Sequence, residues 1–264
     1  MDARAGTHKL YHQYEFNPKE FYEMYLSPNC NSQLQENYIV YPMRQLNNEM
    51  SSGRITGDRM TELTIGPVLF KLLVCSEYFK EITVLESNAR CKVELEKWLN
   101  KDGDALQMRH ITDIACTLQG KRDGWKEKEE KTRSRIKQVL MCDFTKENPT
   151  DPITVPKSDC FVCIWTLEVI SQTQSEFQRN LKKCATLLKL GGHLLFFGVF
   201  NGNYFLVGKH KFHILSYDEV FLRQALADCG FLIQCLELTE GKGGEGLIDS
   251  GHLVYVRAVK VKEE

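Results

Sequence analysis

From residue 60 to residue 259 the sequence alternates short apolar runs with longer amphipathic stretches, and this alternation limits the possible folds more than any other feature. The apolar runs are MTEL, ITVLE, VLMCD, CFVCIW, HLLFFGVF, FLIQCLEL and HLVYVRAV. A strand followed by a helix, repeated, predicts an α/β fold with a parallel sheet and helices on both faces. The runs are almost continuously hydrophobic, which is typical of strands covered on both sides.

The stretches between the runs have the spacing of helices. They are VLFKLLVCSEYF, RCKVELEKWL, EEKTRSRIKQVL, EFQRNLKKCATLLK and DEVFLRQALADCG. We expect Gly191 and Gly192 to end the fourth of these helices before the next strand, since glycine often follows a helix C-terminus.

Residues 17–50 are also predicted to be helical, with Asn17 as the cap and Pro18 in the first turn. We predict an N-terminal helical cap or lid over residues 1–55, followed by one α/β unit over residues 56–264. The cap is rich in aromatic residues, which either close over a ligand or simply pack the cap onto the core. These aromatic residues are Tyr11, Tyr14, Phe16, Phe21, Tyr22 and Tyr25.

Composition excludes several classes of function. The net charge is −1, without the basic excess of a nucleic-acid-binding protein. The sequence contains no run of about 18 apolar residues, so no membrane span is expected. The polar N-terminus lacks the apolar core of a signal peptide. Most of the ten cysteines lie in apolar runs, which favours a reduced, cytoplasmic protein. Cys160 and Cys163 are predicted to point to opposite faces of one strand, so we expect no metal or redox site there.

Acidic residues stand at the ends of the predicted strands, where ligands bind in open parallel sheets. They are Glu62, Glu86, Asp143 and, just after the fourth strand, Glu168. Glu86 closes the second strand 20 positions after Gly66, which is the place of an acid that binds both ribose hydroxyls. The alternative is an ordinary exposed loop acid.

The pair Asp143 and Phe144 suits an adenine, with the acid on the exocyclic amine and the ring against the base. A simple turn cap is the alternative. The turn before the first helix has neither a full G-x-G-x-x-G nor a phosphate-loop lysine, which argues against a dinucleotide or a triphosphate. S-adenosylmethionine has no phosphates and places fewer demands on this turn.

Longer stretches resemble one family of enzymes. The sequence from about residue 15 to residue 259 is similar to the small-molecule N-methyltransferases that include nicotinamide, indolethylamine and phenylethanolamine N-methyltransferases. The stretches are FNPKEFYEMY, IGPVLFKLLVCSEYFKEITVLE, VELEKWL, GWKEKEEKTRSRIKQVLMCD, TLEVISQTQSEFQRNL, LLKLGGHLLFFG, FLVGKHKF and ALADCGF. The resemblance implies a seven-stranded, Rossmann-like class I methyltransferase sheet whose last strand is antiparallel. It also implies S-adenosyl-L-methionine as cofactor and methyl transfer to a small amine or a ring nitrogen.

Within that family, TLEVISQTQSEFQRNL, GGHLLFFGVF and FLVG are most similar to the phenylethanolamine branch. The resemblance implies that Glu168 holds the substrate amine and that Asp249 is a second partner for it. Gly198 stands where the nicotinamide branch has an aspartate, which makes nicotinamide a poor substrate candidate.

The resemblance also implies a set of cofactor contacts, several of which depart from the family pattern. Thr64 and Ile65 replace a glycine and a serine, and a β-branched residue at a position that needs φ > 0 would cost about 1–3 kcal/mol. The implied cofactor-binding residues are Phe21, Tyr25, Thr64, Gly66, Phe70, Glu86, Cys91, Asp143, Phe144 and Ile164.

Two hypotheses follow from the kept and lost contacts. The first is an active S-adenosylmethionine-dependent N-methyltransferase, expected to be a monomer, that acts on a small amine. The second is a catalytically impaired methyltransferase-like protein that serves as a binding or regulatory module. The retained strand-end acids favour the first, whereas Thr64, Ile65 and Cys91 favour the second.

Overall fold

The computed structural model describes residues 8–13, 16–121, 123–241 and 246–263. Tyr14, one of the aromatic residues expected in the cap, lies outside these ranges. The first helix, α1, runs from Pro18 to Tyr25, and the Asn17 side chain accepts hydrogen bonds from the amides of Lys19 and Glu20 as expected. The short helix α2 (Ser32–Gln35), a π-helical turn (Glu36–Val40) and α3 (Tyr41–Ser51) follow.

A seven-stranded sheet forms the centre of the structure. Its strands are β1 (Arg59–Thr64), β2 (Glu81–Glu86), β3 (Ile136–Met141), β4 (Ser158–Ile164), β5 (Leu188–Val199), β8 (Phe231–Glu240) and β10 (His252–Lys260). Their order is β3-β2-β1-β4-β5-β10-β8. All neighbours are parallel except β10, which runs antiparallel to both β5 and β8. The predicted seven-stranded sheet with an antiparallel last strand is therefore confirmed.

Helices connect and cover these strands. They are α4 (Phe70–Cys75), α5 (Ala89–Asn100), α6 (Arg109–Leu118), α7 (Trp125–Arg135), α8 (Leu167–Ile170), α9 (Gln174–Thr186) and α10 (Glu219–Asp228). Helix α5 packs on β2 and β3, α9 packs on β5, and α10 packs on β8. Burial of their apolar faces against the sheet supplies most of the driving force for folding.

Two predicted boundaries were wrong. The seventh helix ends at Arg135, and the residues from Ile136 onward form β3 instead of a last helical turn, because their apolar side chains pack beside β2. Helix α9 ends at Thr186, so Gly191 and Gly192 lie inside β5. Pairing with β4 is irregular at this point, and Gly191 has φ +78°, so the glycines form a bulge and do not stop a helix.

A second, three-stranded sheet was not predicted. It consists of β6 (Tyr204–Val207), β7 (His210–His213) and β9 (Ile248–Asp249), in the order β7-β6-β9. Lys9 adds to its edge, because its amide donates to the Lys211 carbonyl (2.9 Å) and its carbonyl accepts from the His213 amide (2.8 Å). This sheet and α1 enclose the space beyond the carboxyl ends of β1 and β4.

Candidate active site

The turn after β1 carries its unusual backbone conformation on a glycine. Gly66 has φ +74°, and a Cβ placed on it would lie 2.8 Å from a ring carbon of Phe21. Thr64 and Ile65 do not have positive φ. The expected strain at Thr64 is therefore absent, because Thr64 ends the strand in an extended conformation and the left-handed position falls two residues later.

A buried ion pair supports this turn from below, and the sequence analysis missed it. The Lys71 ammonium lies 2.6 Å from a Glu62 carboxyl oxygen, and both side chains are fully buried. Lys71 also donates to the Thr64 hydroxyl at 3.1 Å. Neither Glu62 carboxyl oxygen has a partner of good hydrogen-bonding geometry within the described residues, so the contact is an ion pair and not a well-formed hydrogen bond. A lysine inside the apolar run VLFKLLVC was the only sequence signal for this pair.

Glu86 is the last residue of β2 and is completely buried. Its Oε1 accepts a hydrogen bond from the Tyr11 hydroxyl (2.8 Å) and another from the Asn88 amide (2.7 Å). Its Oε2 has no partner among the described residues. Burial raises the pKa of Glu86 to about 8, and the hydrogen bonds from Tyr11 and Asn88 oppose this rise.

Tyr11 is held firmly beside Glu86. Its side chain is fully buried, and its hydroxyl accepts a hydrogen bond from the Gly66 amide at 2.8 Å. The Asn88 side chain donates to the Tyr11 carbonyl at 2.9 Å. Cys91, predicted to contact the cofactor, lies against the Tyr11 hydroxyl. Burial, together with Cys91 and Glu86, raises the pKa of Tyr11 well above its usual range.

A small, mainly apolar cavity of about 70 Å³ is lined by residues at and beyond the carboxyl ends of β1 and β4. Among the described residues, Glu168 and Lys71 are the only charged ones that line it. The remaining lining residues are Phe21, Tyr25, Tyr38, Ile39, Ile65, Val68, Phe70, Ile164, Trp165, Val169, Val199, Phe205, Ile214 and Ile248. Four predicted cofactor residues therefore meet at this cavity, namely Phe21, Tyr25, Phe70 and Ile164. The Tyr25 hydroxyl donates to the Leu206 carbonyl (2.7 Å).

Glu168 lies in the single turn of α8 and is almost completely buried, with 1% of its surface exposed. Neither carboxyl oxygen has a partner of good hydrogen-bonding geometry within the described residues. Burial raises the pKa of Glu168 to about 8, although the backbone amides of Glu168 and Val199 oppose this in part. A buried carboxyl group without a partner in an apolar cavity is costly unless it binds a ligand.

A larger and more polar groove, of about 810 Å³, is lined in part by residues that follow β2 and β3 and by His12, the chain neighbour of Tyr11. Asp143, Phe144, Ser87 and His12 help to line it. Asp143 also caps its own turn, because its Oδ1 accepts from the Thr145 amide (2.9 Å) and hydroxyl (2.6 Å). These bonds lower the pKa of Asp143, so its carboxylate stays ionised. The predicted turn cap is thus present, and the carboxylate still faces the groove.

None of the residues that the structure describes lines both the cavity and the groove. Tyr11, Glu86 and Gly66 line neither the cavity nor the groove. The hydrogen bonds of Tyr11 to Glu86 and Gly66 attach the N-terminal segment that carries Tyr11 to the end of β2 and to the turn after β1. The region in which a cofactor was predicted to bind is therefore divided into two compartments in this structure.

Two further residues differ from the sequence predictions. The Asp249 carboxylate accepts a hydrogen bond from the Asn203 amide group (2.7 Å) and does not line the cavity, so the structure does not bring it to Glu168. Trp165 was expected to belong to the fourth strand. Instead it follows β4 with φ +57°, an uncommon conformation for an aromatic residue. Its indole N–H donates to the Tyr38 carbonyl (3.1 Å), which directs the ring toward the cavity.

Other kinds of site are not seen in the residues that the structure covers. Within those residues, no three His, Cys, Asp or Glu side chains are grouped as a metal site requires. None of their helices combines the length and apolarity that crossing a bilayer requires.

Comparison with known proteins decides the family. A model of the NNMT/PNMT/TEMT family matches residues 5–261. The chain belongs to the NNMT/PNMT/TEMT family. Mouse indolethylamine N-methyltransferase is 31% identical, over 82% of this chain and 82% of that protein. Human nicotinamide N-methyltransferase is 29% identical, over 84% of each. Phenylethanolamine N-methyltransferase of Macaca mulatta is 28% identical, over 89% of this chain and 83% of that protein.

Solved structures agree with the fold of this family. The N-methyltransferase NodS from Bradyrhizobium japonicum, in complex with S-adenosyl-L-homocysteine, has a TM-score of 0.54 at 13% identity, over 89% of this chain and 90% of that chain. Magnesium protoporphyrin IX methyltransferase from Synechocystis, with bound S-adenosylmethionine, has a TM-score of 0.55 at 11% identity, over 92% and 90%. At these identities the likeness concerns the class I methyltransferase fold alone.

This family member is an S-adenosylmethionine-dependent N-methyltransferase. The comparisons do not favour the alternative of a module that has lost turnover. Identities to the three branches are nearly equal, at 31%, 29% and 28%. Similarity to the phenylethanolamine branch therefore stays a prediction.

Proposed function

We propose that this enzyme methylates the nitrogen of a small aliphatic amine whose ammonium group is bound by Glu168. The observation that carries the proposal is the buried Glu168 carboxyl group without a well-formed hydrogen bond, in a cavity with otherwise apolar walls. A positively charged amine satisfies such a group better than any neutral ligand, because a charge-assisted hydrogen bond forms in a water-poor site.

The surroundings of Gly198 and the cavity walls suit an aliphatic amine better than nicotinamide. Gly198 stands where the nicotinamide branch has an aspartate, and a Cβ on Gly198 would overlap the Tyr217 hydroxyl. An aspartate side chain has no room there. The aromatic rings of Trp165 and Tyr38 border the cavity, which suits an amine that carries an apolar group.

The donor set fits S-adenosylmethionine, and we propose the following contacts. Glu86, with its free Oε2, would bind the ribose hydroxyls, and Asp143 and Phe144 would bind the adenine in the groove. The Lys71 ammonium would bind the carboxylate of the methionine end, since Lys71 is the only cation among the described residues that line the cavity. The Gly66 amide would add a backbone donor.

The bound cofactor supplies a methyl group on a sulfonium, and the chain supplies position, a dry site and a proton acceptor. The amine must be neutral to react, so its proton has to move to the protein. The raised pKa of Glu168, about 8, brings it closer to that of an aliphatic amine, which lowers the cost of this transfer. The apolar walls exclude water and hold the amine in one orientation.

We extend the proposal to the whole molecule. Residues up to 55 act as the cap of the site, and residues 56–264 carry the cofactor. The protein works in the cytoplasm as a monomer on free small molecules, without a nucleic-acid partner. The ten free cysteines among the described residues and the net charge of −1 support this assignment. Light scattering tests the monomer, which a dimer mass would contradict.

The decisive experiment compares three proteins with a panel of arylalkyl and alkyl amines. We expect Glu168→Gln to lower kcat/KM by at least about 100-fold, because it removes the ionic partner and the proton acceptor. Affinity for S-adenosylhomocysteine, measured by calorimetry, should change less than about threefold. Glu127→Gln, on the exposed face of α7, is the matched control. Full activity in Glu168→Gln would refute the role of this residue.

A further inference from the structure

We propose that Tyr11 is an intramolecular competitor of the cofactor and must leave the cleft before the cofactor binds. This inference rests on the proposed function of the same cleft. It concerns the two hydrogen bonds that the Tyr11 hydroxyl makes to groups predicted to bind the cofactor, Glu86 and the Gly66 amide.

The Tyr11 hydroxyl uses the groups that a ribose would need. It donates to Glu86 Oε1, the acid at the end of β2, and it accepts from the Gly66 amide of the cofactor turn. One hydroxyl thus satisfies a buried carboxyl oxygen and a buried amide, each of which would be costly without a partner. In this arrangement the two groups are already occupied by the chain itself.

The volumes of the cavity and the groove also indicate that the cofactor cannot bind until the N-terminal segment moves. The cavity of about 70 Å³ holds a few water molecules, whereas drug-sized ligands occupy pockets of roughly 300–1,000 Å³. The groove of about 810 Å³ is large enough for adenosine but does not reach Glu168. Departure of the Tyr11 side chain would free both Glu86 and the Gly66 amide, two groups predicted to bind the cofactor, for contact with it.

The segment that carries Tyr11 has a small number of separable attachments. Lys9 makes two backbone hydrogen bonds to β7, and the Asn88 side-chain amide donates one hydrogen bond to the Tyr11 carbonyl. The Tyr11 ring also packs edge-on against Phe16, with 4.8 Å between centroids. Residues 8–13 therefore form a short strap that is attached at β7 and at the cofactor turn. Release of both attachments opens the cleft without disturbing the seven-stranded sheet.

The first test is the affinity of S-adenosylhomocysteine for Tyr11→Phe. Loss of the hydroxyl removes two hydrogen bonds from the closed form and none from the open form. The binding-competent fraction therefore rises, and the apparent Kd should fall by about tenfold. Tyr22→Phe is the matched control, because its hydroxyl donates to the Gln107 carbonyl and it lines neither compartment. The control should leave Kd unchanged.

The second test is hydrogen exchange of the wild-type protein and needs no variant to fold. Ligand binding usually slows exchange, but here S-adenosylhomocysteine should speed it at the amides of Lys9 and His213, which hold the strap on β7. Unchanged or slower exchange at both amides would overturn the proposal.

The outcomes separate this inference from the proposed function. A Tyr11→Phe variant that binds S-adenosylhomocysteine with equal or lower affinity shows that Tyr11 does not compete, while the cofactor site itself stands. Absence of binding to wild type and to Tyr11→Phe at millimolar ligand removes the proposed cofactor contacts and the competition together.

Discussion

Replacement of Glu168 by glutamine should change the pH dependence of stability in a defined direction. Glu168 has a pKa of about 8 in the folded protein, compared with about 4.5 when unfolded. Between these values the folded protein holds a proton that the unfolded chain has lost. The stability contributed by this group is therefore complete below about pH 4.5 and is lost as the pH rises through 8.

The size of the effect follows from the width of that window. Each pH unit between the two pKa values costs about 1.4 kcal/mol, so the wild type loses on the order of 3–4 kcal/mol from this one group between pH 5 and pH 8. Glu168→Gln cannot ionise and avoids this loss. Glu86, whose pKa is also about 8, contributes a similar slope in both proteins and cancels in the comparison.

Urea unfolding at pH 5 and pH 8 measures the effect directly. We expect the free energy of unfolding of Glu168→Gln, relative to wild type, to increase by a few kcal/mol between the two pH values. Glu127→Gln serves as the exposed control and should show no such increase. An equal difference between Glu168→Gln and wild type at both pH values would refute the conclusion that this carboxyl group is buried and neutral.

Three further predictions concern the cofactor turn and its surroundings. Lys71→Met should lower the free energy of unfolding by about 3–5 kcal/mol, since it leaves the Glu62 charge buried and unpaired. The double variant with Glu62→Leu should recover most of this loss. Equal stability of the single and double variants would contradict the ion pair. Gly66→Ala should cost about 1–3 kcal/mol, because its φ is +74° and the new methyl group meets Phe21, and wild-type stability by urea unfolding would contradict this. Binding of S-adenosylhomocysteine at pH 7 should release about one proton, because Tyr11 leaves Glu86 and the freed carboxyl group ionises. Calorimetry in several buffers measures this release as the slope of binding enthalpy against the ionisation enthalpy of the buffer. A slope of zero would contradict the prediction.

Most of the sheet was predictable from sequence because its signals are local. The run ITVLE became the last five residues of β2, and HLVYVRAV became most of β10. The start of β3 was not predictable, since RSRIKQVL satisfies a helical spacing as well as a strand, and only packing beside β2 decides. The strands β6 and β9 were missed because they have four and two residues, too few for a periodic pattern.

The candidate site was predictable where a residue's position in the fold determines its neighbours. Glu86 and Glu168 follow strands whose carboxyl ends meet at one edge of the sheet, and the structure buries both there. Tyr11 was assigned only to a general cap. Its partner Glu86 lies 75 positions further along the chain, and no local pattern encodes a contact over that distance. The Lys71–Glu62 pair was missed because a lysine is usually expected to be exposed, even within an apolar helix.

The cysteines differ in accessibility, so the rate at which each thiol is alkylated reports how often its part of the fold opens. Cys30 and Cys235 are partly accessible, whereas the other eight cysteines are buried. Cys91 lies against the Tyr11 hydroxyl, Cys142 lines the groove, and the other six buried thiols line neither the groove nor the cavity. A maleimide reagent would therefore alkylate the two accessible thiols at once and Cys91 whenever the strap lifts. These other six buried cysteines, which line neither compartment, would react only when larger parts of the fold open.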